Sequence, residues 1–585
     1  MCCSNKAVDV IEPESRKNTN KNNKESEEIN NEINNNINIS QDNSFPMLSN
    51  NENLNENINE NLNENNENQD DNEYHDYSFY NIQELLEKGD TAITLEKYKE
   101  AAKIFQTMIQ KFPDDVLGYL NMGKVYMKMK AYSNAIDMYN KSLLLDKSKL
   151  DLYVNKGVCL FNLKQYKEAI DTYDRGLQLF PNEYTLFLNK GVALNHLKKY
   201  LESIKCFEKG LMIKKDASLY NNLAIAYFRL KEYEKSIKYY DEAIILNPKD
   251  YLQLNNKGVA LKHLEQYDEA ITCFNQAIQL NPKDAISYYN KANTLKVMEK
   301  CEEALEQFDI AISLDNKYIS AFYNKGITLN ELHKYSEAIQ NLDICIKLNP
   351  KHQFAYLNKG INLDLLKRPE EALQQFDKAL EINPQFGDAY LNKGITLYHM
   401  EKYEVAIYNY ENAIKYNSKI SSSSAYNNIG NCQYKMGKYY DALDSYSTAI
   451  KNEPKYIDAY INRGDCYKAI KKNDDALNEY DRALKIKPDY ANGYYRKGLI
   501  YQSLKGEEDL KLALENYDLA IKYKPTFSEA YYHIGNVQMS LGDYVNAIDS
   551  FNKCKGFDTD QTEECNKKIN ECNEAVNNLV KNENK

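Results

Sequence analysis

A small residue returns every 34 positions along most of the chain, and this regularity constrains the fold more than any other feature. Gly89, Gly123, Gly157, Gly191, Ala224, Gly258, Ala292, Gly326, Gly360, Gly394, Gly430, Gly464, Gly498 and Gly535 occupy equivalent places. Ten of the thirteen intervals between them are 34 residues, and the others are 33, 36 and 37. Twelve residues after each stands a second small residue, from Ala101 and Ala135 through Ser203 and Ser236 to Ala547, with Ala513 displaced by a local insertion. Four further on comes an aromatic ring, as at Phe105, Tyr173 and Phe551, in every unit except the one that carries Leu342. Nine of the twelve prolines close a unit, among them Pro113, Pro350 and Pro525. A unit this short cannot bury an apolar face alone, so the pattern predicts a stack of like units that share one continuous core.

Each unit reads as two helices. The first has apolar residues at helical spacing, as with Tyr323 and Ile327, and the second runs from Tyr335 to Leu342 and on to Asn349-Pro350. Proline has no N–H and disfavours helix in the residue before it, so it ends one unit and lets the next begin. The glycines and alanines at fixed places let two helix backbones approach closely. This small–small–aromatic–proline spacing strongly resembles the tetratricopeptide repeat (TPR) family across residues 82–559. The resemblance implies an all-α fold: a right-handed α-solenoid of about 14 helix-turn-helix repeats whose first helices line a concave groove. Cys565, Ile569, Cys572, Val576 and Leu579 mark one face of a helix within 560–585, predicted to cap the last repeat. Two irregularities, Ser421–Ser424 and Lys505–Asp509, are expected to lie in tolerant loops or to mark a flexible boundary.

Charge sets the first 80 residues apart. They hold 17 acidic and 5 basic side chains, which places the whole net charge of −12 there and leaves the repeats neutral. A nucleic-acid binder needs a basic excess, so none is expected among the partners. The Asn/Glu-rich run has too few apolar groups to offset chain entropy and is predicted to be a disordered tail. Leu54, Ile58 and Leu62 recur every four residues within it, and Ser44-Phe-Pro-Met-Leu48 is a short apolar island. The chain starts Met1-Cys2-Cys3-Ser4, and paired cysteines at a mobile end resemble dual palmitoylation sites. Lipidation of Cys2 and Cys3, with peripheral membrane attachment, therefore stands beside the reading of two inert thiols. No run approaches 18 apolar residues, no secretory leader is evident and twelve cysteines are scattered without CxxC pairs, so a reduced cytoplasmic protein is expected.

No catalytic constellation emerges. Gly430 and Gly437-Lys438 are wrongly spaced for a phosphate-cradling loop, and there is no HExxH and no Cys/His cluster. His196, His263 and His399 share a repeat position but sit in non-neighbouring repeats, so they cannot share a metal and read as partly exposed helix residues. The chain is expected to be non-enzymatic, without metal or cofactor.

The candidate site is a ladder. Two residues before the repeat's Gly or Ala lie Asn121, Asn155, Asn189, Asn222, Asn256, Asn290, Asn324, Asn358, Asn392, Asn428 and Asn462, in eleven successive repeats. In the family this place lines the groove, and an amide offers both a donor and an acceptor to a peptide backbone. The ladder is similar to that of the TPR region of protein O-GlcNAc transferases, whose catalytic half has no counterpart here. The competing reading is structural, with each amide bonding a neighbouring helix. Val158, Val192, Ile225, Val259, Ile327, Ile361 and Ile395 would floor the groove with apolar surface. A cationic row, Lys156, Lys190, Lys257, Lys291, Lys325, Lys359, Lys393, Arg463 and Lys497, could attract an acidic partner or simply pair with carboxylates of adjacent repeats. Chaperone-type TPR domains grip a C-terminal carboxylate with Lys at the fifth and Asn at the ninth place of a repeat. Here Asn293, Asn431 and Asn536 hold the ninth place while Tyr289, Asn427 and Tyr532 hold the fifth, which argues against that type. The expected function is a non-enzymatic scaffold for extended or helical polypeptides, with a non-catalytic subunit of a glycosyl- or ubiquitin-transfer complex as the alternative.

Overall fold

The computed structural model describes residues 77–416, 419–558 and 561–583. Among them the chain forms one 3₁₀ turn, Tyr77–Phe79, and then α-helices only, with no strand. The helices alternate as first and second members of fourteen hairpins, from Ile82–Thr94 with Tyr98–Lys111 to Ser528–Ser540 with Tyr544–Phe557, followed by Thr562–Glu583. The chain divides into two compact units at residues 321 and 322, each a succession of such hairpins.

Sequence explains the hairpin at its closest point. A Cβ built on Gly157 would lie 2.1 Å from Tyr173 Cε1, and one on Gly464 would lie 2.5 Å from the same atom of Tyr480. The ring of the second helix therefore rests directly on the backbone of the first. At Gly326, Leu342 replaces the ring and the approach relaxes to 3.0 Å. Tyr173, Tyr480 and Phe551 are almost wholly buried, as are Ala169, Ala476 and Ala547. First helices often begin on an aspartate set by the preceding Pro turn: the carboxylates of Asp115 and Asp250 accept from the N–H groups of Leu117 and Leu252.

The turn inside each hairpin holds a feature that the sequence hides. Seven residues after every small residue the backbone is left-handed, at φ 58–62° in twelve repeats and φ 77° and 81° at Gly437 and Gly542. The twelve are Lys, Glu or His, as at Lys198, Glu265 and His333. The turn is held because the N–H groups of Lys198 and Lys199 donate to the carbonyls of Asn195 and Leu194, each at 2.9 Å, which satisfies the helix end. A side chain in this conformation costs roughly 1 kcal/mol or more. Lys198→Gly and Lys231→Gly are therefore each expected to raise stability by about 0.5–1 kcal/mol, with Gly437→Lys doing the reverse. Urea melts of the three variants check the sign.

The described residues begin within the first 80: the Tyr77 hydroxyl donates to Glu100 at 3.1 Å, Lys111 Nζ donates to the Tyr80 carbonyl at 2.9 Å, and Asn81 with Glu84 forms a capping box. The two irregularities lengthen helices instead of loops. The helix Lys419–Lys435 has 17 residues where its counterparts have 13, and Glu507–Tyr523 has 17 where the usual second helix has 14. The added residues join the helix start, where they extend an existing hydrogen-bond ladder and leave the downstream faces in phase. The capping helix is Thr562–Glu583, with Cys565 and Cys572 buried against Phe551 and Cys554 and with Ile569 packed beside them. Cys2, Cys3, the Leu54–Leu62 repeat and the Ser44–Leu48 island lie outside the described residues, and nothing is described of the Leu579 side chain.

Candidate functional site on the first helices

The asparagine ladder is buried. Asn121, Asn155, Asn189, Asn222, Asn256, Asn290, Asn358, Asn392 and Asn428 are 1–9% exposed, while Asn324 and Asn462 are half-buried. An open row of amides facing solvent is therefore not what the fold presents. Successive first helices lie close together, so the intended floor is covered too: Ile225, Val259, Ile327, Ile361 and Ile395 are buried, with only Val158 and Val192 half-exposed.

Three rungs bond across the seam to a side chain 35 residues earlier. Asn290 Nδ2 donates to Asn255 Oδ1 at 3.0 Å, Asn462 Nδ2 to Asn427 Oδ1 at 3.0 Å, and Asn358 Nδ2 to the Tyr323 hydroxyl at 3.0 Å. Others bond within their own helix: Asn222 Nδ2 donates to the Ser218 carbonyl at 2.8 Å and Asn392 Nδ2 to the Asp388 carbonyl at 2.9 Å. A third group is unsatisfied. Both amide atoms of Asn256 and of Asn293, Asn255 Nδ2, Asn222 Oδ1, Gln253 Oε1 and Asn428 Nδ2 have no hydrogen-bond partner in the protein. A buried polar atom without a partner costs about 1–3 kcal/mol. Most of these atoms lie on the helices Ala217–Arg229, Tyr251–His263 and Ala285–Val297.

The cationic row is mostly paired. Lys190 with Asp174, Lys257 with Asp241, Lys359 with Asp343, Lys393 with Asp377 and Lys497 with Asp481 each join a first helix to the second helix of the preceding repeat at 2.5–2.7 Å. Sixteen residues before Lys156 and Lys291 stand Asn140 and Asn275, and burial pulls both ammonium groups below their ordinary range. His196 and His399 are exposed and His263 half-buried. His196 stacks on Tyr166 at 5.2 Å and His263 on Tyr233 at 4.9 Å, so both serve as aromatic packing. Among the described residues no cluster of His, Cys, Asp or Glu has the makings of a metal site, and no helix is long and apolar enough to cross a membrane.

A charged group near the C-terminal end was not anticipated from sequence. In the ladder's column Asn462 is followed by Arg496 and then His533, and in the apolar column Asp465 takes the place of Val or Ile. Arg496 Nη1 lies 3.3 Å from Asp465 Oδ2, and the Tyr480 hydroxyl donates to Asp465 Oδ1 at 2.7 Å. The Tyr517 hydroxyl donates to Gln502 Oε1 at 2.7 Å, and His533 Nδ1 lies 2.9 Å from the same oxygen. Aligning the repeats column by column exposes the break, since two rows change character within two repeats.

His533 is packed among Tyr495, Tyr517 and Tyr532 with the Lys468 ammonium nearby, and burial first and that cation second hold its pKa down to about 4. The ordinary value is about 6.5. The folded state thus resists protonation, so the stability is fully present above pH 6.5 and is lost as pH falls from 6.5 toward 4. Melting of the C-terminal repeats is expected to weaken by roughly 3 kcal/mol over that window. His533→Gln should flatten the dependence, as read by hydrogen exchange at pH 7 and pH 4.5.

The fold and its helix seam define an α-helical repeat protein that presents side chains from successive first helices. The chain belongs to the tetratricopeptide repeat family. Tetratricopeptide repeat models match residues 118–149, 150–183, 184–216, 217–250, 251–284, 273–306, 323–385, 423–456 and 528–561, and a TPR repeat model matches 464–505. Among curated proteins none matches the chain. Similar solved structures include the Cut9–Hcn1 hetero-tetramer of the APC/C, at 15% identity and TM-score 0.41, over 85% of this chain and 97% of that one. Yeast Tom70 is similar at 16% identity and TM-score 0.37, over 80% of this chain and 96% of its own. MamA is similar at 20% identity and TM-score 0.27, over 28% of this chain and 95% of its own.

Proposed function

We propose that the protein is a non-catalytic scaffold that receives polypeptide segments along the seam of its first helices, through the asparagine ladder. Repeats of this family carry protein–protein interaction, and each further repeat extends the available surface. The observation that carries the reading is the set of unsatisfied amides at Asn222, Asn255, Asn256 and Asn293. Such groups hold unused donors and acceptors where a buried pair is worth most. A segment laid along the seam would engage them after small rotations about the asparagine side-chain bonds, as a peptide backbone supplies both N–H and C=O. The paired lysines leave little free charge along the row, so recognition would rest on amides and shape. Among the described residues ten cysteines are free, nine of them buried, which suits a reducing cytoplasm.

The test is affinity capture from cell lysate with the full chain and with an Asn256→Ala, Asn293→Ala variant. Recovery of the bound polypeptide is expected to fall about tenfold or more, since each amide contact is worth roughly 1 kcal/mol. Melting should stay level or improve, because the substitutions remove unsatisfied polar atoms. Equal recovery by both proteins would reject these seam amides, ladder residue Asn256 and its neighbour Asn293, as the binding element.

A further inference from the structure

We propose that residues 54–62 of the chain's own N-terminal segment dock on an apolar ridge formed by the ends of second helices in repeats two to seven. Each second helix there ends on an exposed apolar residue: Leu145, Leu179, Ile213, Leu246, Leu280 and Leu314. The residue before it adds Leu144, Met212 and Ile245, which are 84%, 85% and 72% exposed. A single exposed leucine needs no explanation, but a row through six successive repeats leaves apolar surface in water that a partner would cover. The ridge is confined to this part of the array. In later repeats the residue before the last is charged, at Lys347, Glu381, Lys415, Lys451, Lys485 and Lys522. Leu348, Ile382 and Ile486, which follow three of those charges, are half-buried. The ridge lies on second helices, so the inference is independent of the seam on the first helices.

The turn Tyr77–Phe79 shows where that segment joins the repeats. The column of last residues is headed by Lys111, which ends the second helix of the first repeat, and its Nζ donates to the Tyr80 carbonyl at 2.9 Å. The segment before Tyr77 therefore enters at the head of the ridge, where Phe79 is exposed. Leu54, Ile58 and Leu62 are the nearest aliphatic residues before that point, and their spacing of four places them on one face of a helix. The 15 residue steps from Leu62 to Tyr77 span up to about 50 Å. Leu144 lies two helix packings beyond Lys111, about 20 Å at most. The reach is sufficient, and such a tether holds the segment near the ridge at an effective concentration of roughly 1 mM. Charge agrees in sign. Glu52, Glu56, Glu60 and Glu64 alternate with the three apolar residues, and no lysine or arginine lies between residues 25 and 76. The turns after Leu145 and Ile213 expose Lys147, Lys149, Lys214 and Lys215 against Asp146 and Asp216. A second copy of the chain would bring the same groups without the tether.

The test places a photo-reactive residue in the full chain, Ile58→benzoylphenylalanine, and maps its cross-links after irradiation. The expected products lie within one chain and join position 58 to residues 144–145, 212–213 or 245–246. Tyr408 and Tyr440, exposed on second helices of the other compact unit, serve as controls and should be labelled about tenfold less or weaker still. Leu144→Gln, Met212→Gln and Ile245→Gln together should cut the ridge cross-links about tenfold. Melting should stay level, since Gln178 and Gln279 already hold that column. If this variant does not fold, Leu54→Gln with Leu62→Gln in the probe-bearing chain makes the same test from outside the repeats. Ridge cross-links that survive both sets of substitutions overturn the proposal, as do cross-links spread evenly onto Tyr408 and Tyr440, or none at all. Cross-links found only between two chains, and lost on dilution, give the ridge to a second copy and overturn it. Flotation on vesicles of equimolar phosphatidylserine and phosphatidylcholine, lost in the glutamine variant and without ridge cross-links, gives it to a lipid surface and overturns it too.

Discussion

Gly157→Leu is expected to break the cooperativity of the unit that contains residues 77–321. A Cβ there lies 2.1 Å from Tyr173 Cε1 and 2.5 Å from its Cζ, and the Tyr173 ring is buried on every side. Neither the ring nor the helix backbone can yield without opening the hairpin. The cost should be about 3 kcal/mol or more, at the upper end of overpacking effects. In a stack where each hairpin is stabilised by its neighbours, one opened hairpin also uncouples those on either side. Thermal unfolding should then split, with repeats before and after the site exchanging amide hydrogens at different temperatures. Gly326→Leu is the internal control. Leu342 Cγ stands 3.0 Å away there, and a flexible aliphatic chain can turn aside, so a loss of about 1 kcal/mol is expected. Equal losses at the two sites would mean that the aromatic contact does not set the hairpin spacing.

Ladder residues are expected to separate by their partners, with opposite signs. Asn358 Nδ2 donates both to the Tyr323 hydroxyl at 3.0 Å and to the Phe354 carbonyl at 2.9 Å, and Asn290 Nδ2 donates to Asn255. Replacing Asn290 and Asn358 together by Ala removes the donors that tie Asn255 and Tyr323 to the next helix inside the seam, leaving Asn255 Oδ1 only the longer contact with the Ser287 hydroxyl at 3.5 Å. A loss of about 2–5 kcal/mol in total should follow. Asn256 has neither amide atom paired, so Asn256→Ala should be neutral or stabilising. Denaturant melts of the two proteins decide the matter. If Asn256→Ala is as damaging as the double substitution, its amide is satisfied in solution and the argument for its use by a ligand falls.

The hairpin array was legible because its determinants are composition at fixed spacing: Gly157 opposite Tyr173, Pro350 closing its unit, Cys565 and Cys572 on one face of the last helix. The ladder was legible as a column, but its surroundings were not. Spacing says which residues share a helix face and says nothing of how near the next helix lies, and that distance decides whether Asn290 meets water or Asn255. The left-handed turn was hidden because Lys, Glu and His fill it in twelve repeats, so the usual glycine signal appears only at Gly437 and Gly542. The insertion near Ser421 was placed in a loop because loops accept length cheaply, whereas extending the helix start retains hydrogen bonding for every added residue. The charged group at Arg496 lay in plain view as a break in two columns, and its pairing with Asp465 required coordinates.

The left-handed turn also bears on how such an array changes its length. Its backbone is left-handed whether Lys, Glu or His (φ 58–62°) or Gly (φ 77° and 81°) fills it, so the turn between the two helices of a hairpin does not depend on one residue type. Unequal exchange between two copies of the coding sequence, with the crossover at this turn, joins the first helix of one repeat to the second helix of another. Removing residues 165–198, for example, sets Leu150–Asn162 beside Tyr200–Ile213 and brings the Phe207 ring onto Gly157, a pairing that Gly191 already makes. Arrays one unit shorter or longer would thus arise with their cores already matched, and the span offered to a partner could be reset by recombination in steps of a whole repeat.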